Sequence, residues 1–239
     1  MTLRYAVYFV PDDQCSLAEF GQSILQRSAT GQTIAAPAQD HPQRVALIQK
    51  AQVYGFHATL KAPFRIAKGV SEDQLFSICG QIAKRHSSIP LIGLDVLNYR
   101  GFCALALPTE TAVIQPSSSG AAHQRVSALA LDCVLALEPC REPLSDQEIA
   151  RRKPDQLSQR QREHLREYGY PYVADQYSFH MTLSSKLEDR SESRLSYLDW
   201  AKSYYQTLVC EAPVLDRIAL CVQPAEAEQF HRVKQWRLA

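Results

Sequence analysis

Residues 56–60 read Phe-His-Ala-Thr-Leu, and residues 179–183 read Phe-His-Met-Thr-Leu. The two pentapeptides agree at four of five positions, and histidine occurs only 7 times in the 239 residues of the chain. Side chains of a β-strand point alternately to opposite faces. Each pentapeptide therefore predicts a strand with one apolar face packed on a core and an opposite face that presents a histidine and a threonine.

The repetition is what makes this pattern informative. A single His-x-Thr strand is typical of a water-facing strand in an antiparallel sheet. Two copies with the same flanking phenylalanine and leucine indicate two strands around a shared pocket, in a pseudo-two-fold arrangement. If alternation continues beyond each motif, the residues on the pocket face are His57, Thr59, Lys61, His180, Thr182, Ser184 and Lys186.

These residue types suit in-line chemistry at a phosphodiester. Imidazole titrates near pH 6.5, so one histidine can act as a general base while the other acts as a general acid. The hydroxyls of Thr59 and Thr182 can donate to phosphoryl oxygens, and Lys61 and Lys186 can offset transition-state charge. The set needs no metal, and the sequence lacks HExxH, HxHxDH, a Walker loop and a dense Asp cluster. We expect neither a metal nor a cofactor.

Composition excludes several other classes. The chain has 26 Lys+Arg and 25 Asp+Glu, a net charge of +1, which argues against a broad basic surface for nucleic acid but not against a small basic pocket. No apolar run reaches the length of about 18 residues that a membrane span needs, and the N-terminus does not resemble a signal peptide. Seven scattered cysteines without a CxxC pair predict buried, reduced thiols in a cytoplasmic protein.

Strand-like and helix-like runs alternate along the chain, which predicts a mixed α+β domain of about seven strands and five or six helices. Capping-box patterns mark helix starts at Ser16, Ser71, Ser145 and Ser158. Residues 29–44 are predicted as a loop, and 115–120 as a flexible surface stretch. Helices are predicted over 16–26, 71–85, 122–138, a short segment from 145, 158–169 and 192–208; strands are predicted over 4–10, 53–61, 91–98, 102–107, 177–184, 214–222 and 229–237.

Two further groups of residues are candidates for ligand contact. The arginines of residues 151–166 alternate with acids, so a solvated helical face is favoured over a substrate-binding patch. Tyrosines can stack on a sugar or base, and the segment Gly-Tyr-Pro-Tyr-Val at 169–173 is the favoured lip of the pocket. The arginines are Arg151, Arg152, Arg160, Arg162 and Arg166; the tyrosines are Tyr5, Tyr8, Tyr54, Tyr168, Tyr170, Tyr172 and Tyr177.

The two motifs resemble those of the 2H phosphoesterase superfamily, which is named for its paired His-x-Thr/Ser motifs. The stretches RYAVYFVP, YGFHATLKAPFRI and EYGYPYV are similar to one branch, phosphonate-metabolism proteins often encoded in bacterial phosphonate-utilisation operons. The resemblance implies one bilobal α+β domain over residues 1–239, pseudo-symmetric, with two antiparallel sheets facing a central cleft. It implies His57, Thr59, His180 and Thr182 as catalytic residues. Candidate substrate-binding residues are Lys61, Ser184 and Lys186, which continue the motif faces, and Tyr172 of the segment 169–173.

The implied reaction is metal-independent opening of a small cyclic phosphate, with 5-phosphoribosyl 1,2-cyclic phosphate as the implied substrate of this branch. We expect a monomer whose partner is a small phosphorylated molecule. A second hypothesis is an RNA-end or 2′,3′-cyclic nucleotide phosphodiesterase, similar to the 2′,5′-RNA ligases. Its partner would be RNA, which we favour less than a small phosphorylated molecule. A third hypothesis is a non-catalytic module that binds phosphorylated ligands, and a fourth is that the two motif strands are merely exposed to water. Which histidine is acid and which is base stays open.

Overall fold

The computed structural model describes residues 3–107, 118–187, 192–225 and 228–239. The strands in these ranges are β1 (Arg4–Phe9), β2 (Ala58–Phe64), β3 (Ile89–Pro90), β4 (Asp95–Tyr99), β5 (Phe102–Ala106), β6 (His180–Thr182), β7 (Val214–Leu215), β8 (Arg217–Gln223) and β9 (His231–Arg237). The α-helices are α1 (Ser16–Leu25), α2 (Arg44–Gln52), α3 (Glu72–Arg85), α4 (Ser118–Leu137), α5 (Asp146–Arg151), α6 (Gln159–Tyr168) and α7 (Glu192–Leu208).

Seven strands form one antiparallel sheet in the order β4-β5-β6-β2-β1-β8-β9, and β3 pairs with β7 separately. The predicted α+β class with antiparallel strands is confirmed. The sheet is narrowest at its centre, where β2 and β6 pair only at Ala58 and Met181. The two sets of strands, β4-β5-β6 and β2-β1-β8-β9, are therefore halves of one sheet that meet along the two motif strands.

Three helices pack directly on strands of this sheet. Helix α4 packs on β2, α7 on β4, and α3 on β8 and β9. The apolar residues of both motifs lie in this core, as their alternation predicts: Phe56, Ala58, Leu60, Phe179, Met181 and Leu183 are all buried. The histidines and threonines between them are consequently left on the opposite face.

Local capping chemistry is mostly as predicted. Ser71, Ser145 and Ser158 each form the expected capping box with the residue three positions later. Helix α1 is the exception, because Ser16 is already helical and the N-cap is Cys15, whose thiol accepts the N–H of Ala18 at 3.4 Å.

Two segments before the first motif differ from the prediction. Helix α2 follows the predicted loop and was not anticipated, because its buried face carries Arg44, a charge that obscures an amphipathic pattern. Arg44 is 1% exposed and is bound by Asp40 and by the carbonyl of Ile24. Strand β2 begins at Ala58 rather than at 53, because Gly55 has a φ of +74° that breaks the extended backbone. In the predicted surface stretch 115–120, residues 115–117 lie outside the described residues and the rest begins α4.

The seven cysteines are unpaired thiols, but the prediction that they are buried holds for five of them, because Cys15 is half-buried and Cys210 is exposed. Cys79, Cys103, Cys133, Cys140 and Cys221 are buried. Burial raises the pKa of Cys79, Cys103 and Cys221 to about 12, which keeps these thiols protonated. In the part of the chain that the structure describes, no helix combines the length and the apolar composition needed to cross a membrane.

Candidate active site

The two motifs meet at the centre of the sheet. Ala58 and Met181 pair in antiparallel orientation and are both fully buried on the core face. This register sets each histidine beside the threonine of the other motif. The side chains that project together from the opposite face are His57, Thr59, His180 and Thr182.

Both imidazoles are oriented by the main chain. His57 Nδ1 lies 2.9 Å from the carbonyl oxygen of Gly55, and His180 Nδ1 lies 2.9 Å from that of Ser178. A carbonyl oxygen only accepts, so each Nδ1 carries the proton and donates it. Each Nε2 is thereby the basic atom of its ring. The Thr59 hydroxyl, 3.3 Å from His57 Nε2, donates to that nitrogen.

Burial keeps both imidazoles neutral. It lowers the pKa of His57 to about 4, against the hydrogen bond to Gly55; nearby His180 and Arg27 lower this pKa further. The pKa of His180 is also lowered from its ordinary value, chiefly by burial, with a contribution from Arg100. Both rings are therefore able to accept a proton at neutral pH.

Each imidazole also packs against a tyrosine. The ring centroids of Tyr8 and His57 are 3.9 Å apart, and those of Tyr99 and His180 are 4.5 Å apart in a stacked arrangement. Each histidine thus has its own main-chain acceptor and its own aromatic neighbour. The two environments are related in the same pseudo-two-fold way as the two sequences.

One cavity of about 280 Å³ is lined by all four motif side chains, and we call it the motif cavity. Three cations, Arg4, Lys50 and Arg152, also line it. None of the lining residues in the described part of the chain is an aspartate or glutamate. The potential in this cavity is positive, which favours an anionic ligand.

A second cavity of about 450 Å³ adjoins the motif cavity at Thr59, His180 and Thr182. Four tyrosines line it, so we call it the tyrosine cavity. Arg100 and Lys186 line it as well. The four tyrosines are Tyr99, Tyr170, Tyr172 and Tyr177.

A third cavity of about 270 Å³, which we call the arginine cavity, also adjoins the motif cavity. It shares Arg4, Tyr54, Arg152 and Tyr170 with the motif cavity. The other cations that line it are Lys61, Arg65, Arg141 and Arg151.

Lys61 does not lie where alternation predicts. Thr59 is opposite Tyr8 but Lys61 is opposite Val7, so Leu60 is an extra residue in β2 and the strand bulges there. A bulge reverses the faces of the residues that follow it. Lys61 is 3% exposed and its ammonium donates to the Val134 carbonyl and to Glu138, both at 3.2 Å. The expectation that Lys61 shares the pocket face of the histidines is wrong.

The other predicted binding residues lie at the cavities in different ways. Ser184 lines the motif cavity, but its hydroxyl accepts the N–H of Cys103 at 2.9 Å and donates to the Ser185 carbonyl. These bonds hold the segment after β6 against β5. Lys186 and Tyr172 line the tyrosine cavity beside His180.

The seven candidate tyrosines divide among these surfaces. Tyr8, Tyr54 and Tyr170 line the motif cavity, Tyr172 and Tyr177 the tyrosine cavity, and Tyr168 the arginine cavity, whereas Tyr5 belongs to the core.

Sequence reasoning missed several residues of the site. These residues are far from either motif in sequence: Arg4 begins β1, Tyr99 ends β4, and Arg100 lies in the turn between β4 and β5.

Arg152 was assigned to a solvated face together with its neighbours. That interpretation holds for Arg160, which pairs with Asp175 and Glu163, but Arg152 lines two cavities. The acid four residues before Arg152 is Glu148, which binds Arg65 from a distant segment instead. The charge pattern of the helix alone therefore does not indicate that Arg152 lines the cavities without an acidic partner among the described residues.

The described residues hold no group of three or more His, Cys, Asp or Glu side chains placed to bind a metal ion.

A family model described as "Protein of unknown function (DUF1045)" matches residues 59–231. Two curated relatives carry the name ribose 1,5-bisphosphate phosphokinase PhnN. The one from Janthinobacterium sp. (strain Marseille) is 33% identical over 188 residues, which are 77% of this chain and 39% of that protein. The one from Laribacter hongkongensis (strain HLHK9) is 30% identical over 229 residues, 95% of this chain and 50% of that protein. The chain spans half or less of the length of these relatives.

Solved structures match along nearly the whole chain at low similarity. Escherichia coli LigT complexed with 3′-AMP has a TM-score of 0.42 and 13% identity, and covers 100% of this chain and 99% of its own. The conserved protein of unknown function ATU0111 from Agrobacterium tumefaciens str. C58 has a TM-score of 0.43 and 14% identity, with 98% and 85% covered.

Proposed function

Because this chain belongs to the family described as "Protein of unknown function (DUF1045)", a description that names no activity, we propose its function from the geometry of its site: hydrolysis of a cyclic phosphodiester by His57 and His180. One observation carries the proposal. Two imidazoles of the same tautomer line one positive cavity, together with two threonine hydroxyls. This set can supply the base, the acid and the hydrogen-bond donors that general acid–base hydrolysis of a phosphate ester uses.

The proposed mechanism uses His57 as the base and His180 as the acid. With a pKa of about 4, His57 is neutral at physiological pH, and its Nε2 takes a proton as a water oxygen attacks phosphorus. The bond between phosphorus and one ring oxygen breaks, and protonated His180 supplies the proton to that oxygen. The bound phosphate anion favours the charged form of His180 that this step needs. Exchange of protons with solvent then restores both rings.

Thr59 and Thr182 have a separate task in this proposal. Their hydroxyls lie on the same face as the imidazoles and can donate to the non-bridging phosphoryl oxygens, where charge accumulates in the transition state. Thr59 donates to His57 Nε2 in the structure. Substrate binding would redirect that donor to phosphate and free Nε2 for the water.

We propose 5-phosphoribosyl 1,2-cyclic phosphate as the substrate. Cleavage of its bond between phosphorus and O2 leaves a phosphate on O1, and the product is ribose 1,5-bisphosphate. That compound appears in the name of the two curated relatives, half or less of whose length this chain matches. A chain that produced it would supply the compound for which those proteins are named. Both motifs come from one chain, so we propose a monomer.

Phosphorus NMR of the purified protein with 5-phosphoribosyl 1,2-cyclic phosphate, in excess EDTA, tests the proposal. We expect ring opening by the wild type and none by His57→Ala. Coupling of the product phosphorus to H1 or to H2 identifies the bond that breaks. Turnover that requires an added metal ion, or an equally active His57→Ala protein that is folded, contradicts the proposed chemistry.

The tyrosine cavity supports a second candidate, a 2′,3′-cyclic nucleotide or an RNA end. Its four tyrosines line a cavity that His180 also lines, and aromatic rings are a usual surface for stacking a nucleobase. The same NMR experiment with 2′,3′-cyclic nucleotides decides between the substrates. Binding of all of them without turnover indicates the non-catalytic module instead.

A further inference from the structure

We propose that the junction between the motif cavity and the arginine cavity is a binding site for a phosphomonoester, built from Arg4, Arg152 and the hydroxyl of Tyr8. The site would hold a second, unreactive phosphate of the substrate while the cyclic phosphate lies at the histidines. This inference rests on the proposed function for the identity of the substrate. The argument for an anion at the junction rests on separate observations.

The first observation is the pairing of the cations. In the arginine cavity, Arg65 is bound by Glu142 and Glu148. Lys61 and Arg141 share Glu138. These charges are balanced inside the protein.

Arg4 and Arg152 are different. Arg4 donates through Nε and Nη2 to the neutral side chain of Gln223, and Arg152 lies over the Tyr170 ring, 5.5 Å from its centroid. Neither pairs with a carboxylate within the described residues. These two arginines are also the cations shared by both cavities. Two guanidinium groups without acids at one junction leave positive charge for a ligand to balance.

The second observation concerns Tyr8, which lines the motif cavity. It is 1% exposed, and its hydroxyl has no hydrogen-bond partner among the described residues. Buried hydroxyls are normally paired, so an orphan of this kind calls for a ligand or a water. Besides burial, Cys221, Tyr54 and Tyr170 raise the pKa of this hydroxyl and Arg4 lowers it; Tyr54, Arg4 and Tyr170 line both cavities. Burial raises the pKa of Tyr8 well above its ordinary value, so the hydroxyl stays a donor.

Tyr8 also links the catalytic histidine to the proposed anion site. Its ring packs on His57 with centroids 3.9 Å apart, and its unpartnered hydroxyl lies in the motif cavity that Arg4 and Arg152 also line. One residue thus touches the catalytic imidazole and the proposed anion site. A sugar that carries a cyclic phosphate at one end and a phosphomonoester at the other can bridge them.

Calorimetric titration with ribose 5-phosphate tests the site without any turnover. We expect the wild type to bind it; loss of binding by His57→Ala with full binding by the arginine variants would place the phosphate at the histidines and overturn the site. Arg4→Gln and Arg152→Gln should each weaken binding about tenfold or more, as expected for charge-assisted hydrogen bonds. Tyr8→Phe removes only the hydroxyl and should weaken binding about threefold to tenfold. Arg166→Gln, an exposed arginine of α6 that lines none of the three cavities, is the matched control and should bind as the wild type does.

Thermal melting shows that each variant is folded; Tyr8→Phe should melt like the wild type because its hydroxyl has no partner to lose among the described residues. No binding of ribose 5-phosphate by the wild type at millimolar concentration overturns the site. Equal binding by Arg152→Gln, Tyr8→Phe and the control also overturns it. Binding that the junction variants lose, in a protein that opens no cyclic phosphate, supports the site and overturns the proposed function instead.

Discussion

The two His-x-Thr motifs have the same inner geometry and different surroundings. In both, Nδ1 donates at 2.9 Å to the carbonyl two residues earlier, and the ring packs on a tyrosine. Beyond the motif, β2 continues through a bulge that turns Lys61 into the interior, whereas β6 ends at Thr182. The residue just before each pentapeptide orients the imidazole, whereas the charge around that imidazole comes from distant parts of the chain.

The charged neighbours show this difference most clearly. Behind His57 lies Arg27, which is 3% exposed and donates to the carbonyls of Gln52 and Phe230. Beside His180 lies the exposed Arg100, in the turn between β4 and β5. A buried cation and a solvated one act on two otherwise equivalent rings, and the predictions below test whether the rings are equivalent in function.

The largest expected effect is the loss of either imidazole. His57→Ala and His180→Ala should each lower kcat by about 10²–10⁴-fold, because each removes one of two proton transfers. Phosphorus NMR of ring opening measures this, with His231→Gln on β9 as a control that should keep wild-type activity. If only one variant loses activity, the two motifs are not equivalent in function.

The pH dependence of kcat/KM assigns the roles. The base must be neutral, so the rate should rise as the pH increases through about 4, the pKa of His57. The acid must be protonated, so the rate should fall as the pH increases through the pKa of His180, which burial holds below its ordinary value of 6.5. The optimum of kcat/KM should therefore lie below pH 6.5.

Arg100→Asn sharpens this assignment. Removal of the positive charge raises the pKa of His180, so the descending limb should move to higher pH while the ascending limb stays in place. Asparagine suits the left-handed backbone at this position, where φ is +50°. Movement of the ascending limb instead would show that His180 is the base.

The two residues whose carbonyls orient the histidines, Gly55 and Ser178, should differ in how much their substitution destabilises the protein. Gly55→Ala should lower the free energy of unfolding by at least about 1–2 kcal/mol, the cost of a left-handed backbone for a residue with Cβ. Its Cβ would also lie 2.9 Å from Arg27 Nη1. Ser178→Ala, the matched change in the second motif, should have an effect below about 0.5 kcal/mol. Urea denaturation measures both, and equal destabilisation would contradict the contrast.

Substitution of the two lysines that follow the motifs should have different effects, on stability for Lys61 and on substrate binding for Lys186. Lys61→Met should cost about 1–2 kcal/mol of stability, since Glu138 loses one partner but keeps Arg141. Lys186→Met should leave stability unchanged and raise KM, because Lys186 is exposed and lines the tyrosine cavity. An unchanged KM for Lys186→Met would show that the predicted binding role of Lys186 is wrong.

Much of this architecture could be predicted from the sequence because its signals are local. Alternation found both motif strands, and serine with an acidic or amide partner three residues later found three helix starts. The position of Lys61 could not be predicted, since a bulge depends on the partner strand. Arg4 and Arg152 join the site through contacts between segments distant in sequence, and no periodic pattern reports such contacts.

The main-chain hydrogen bonds of the two histidines have an evolutionary consequence. Where a carboxylate side chain fixes the tautomer of a histidine, one codon change can delete it. Here the acceptors are the carbonyls of Gly55 and Ser178, which no substitution removes. The tautomers are therefore robust to point mutation unless the backbone path itself changes. The pentapeptide and the one residue before it contain both the imidazole and its acceptor, and a segment this short can be copied intact by gene duplication.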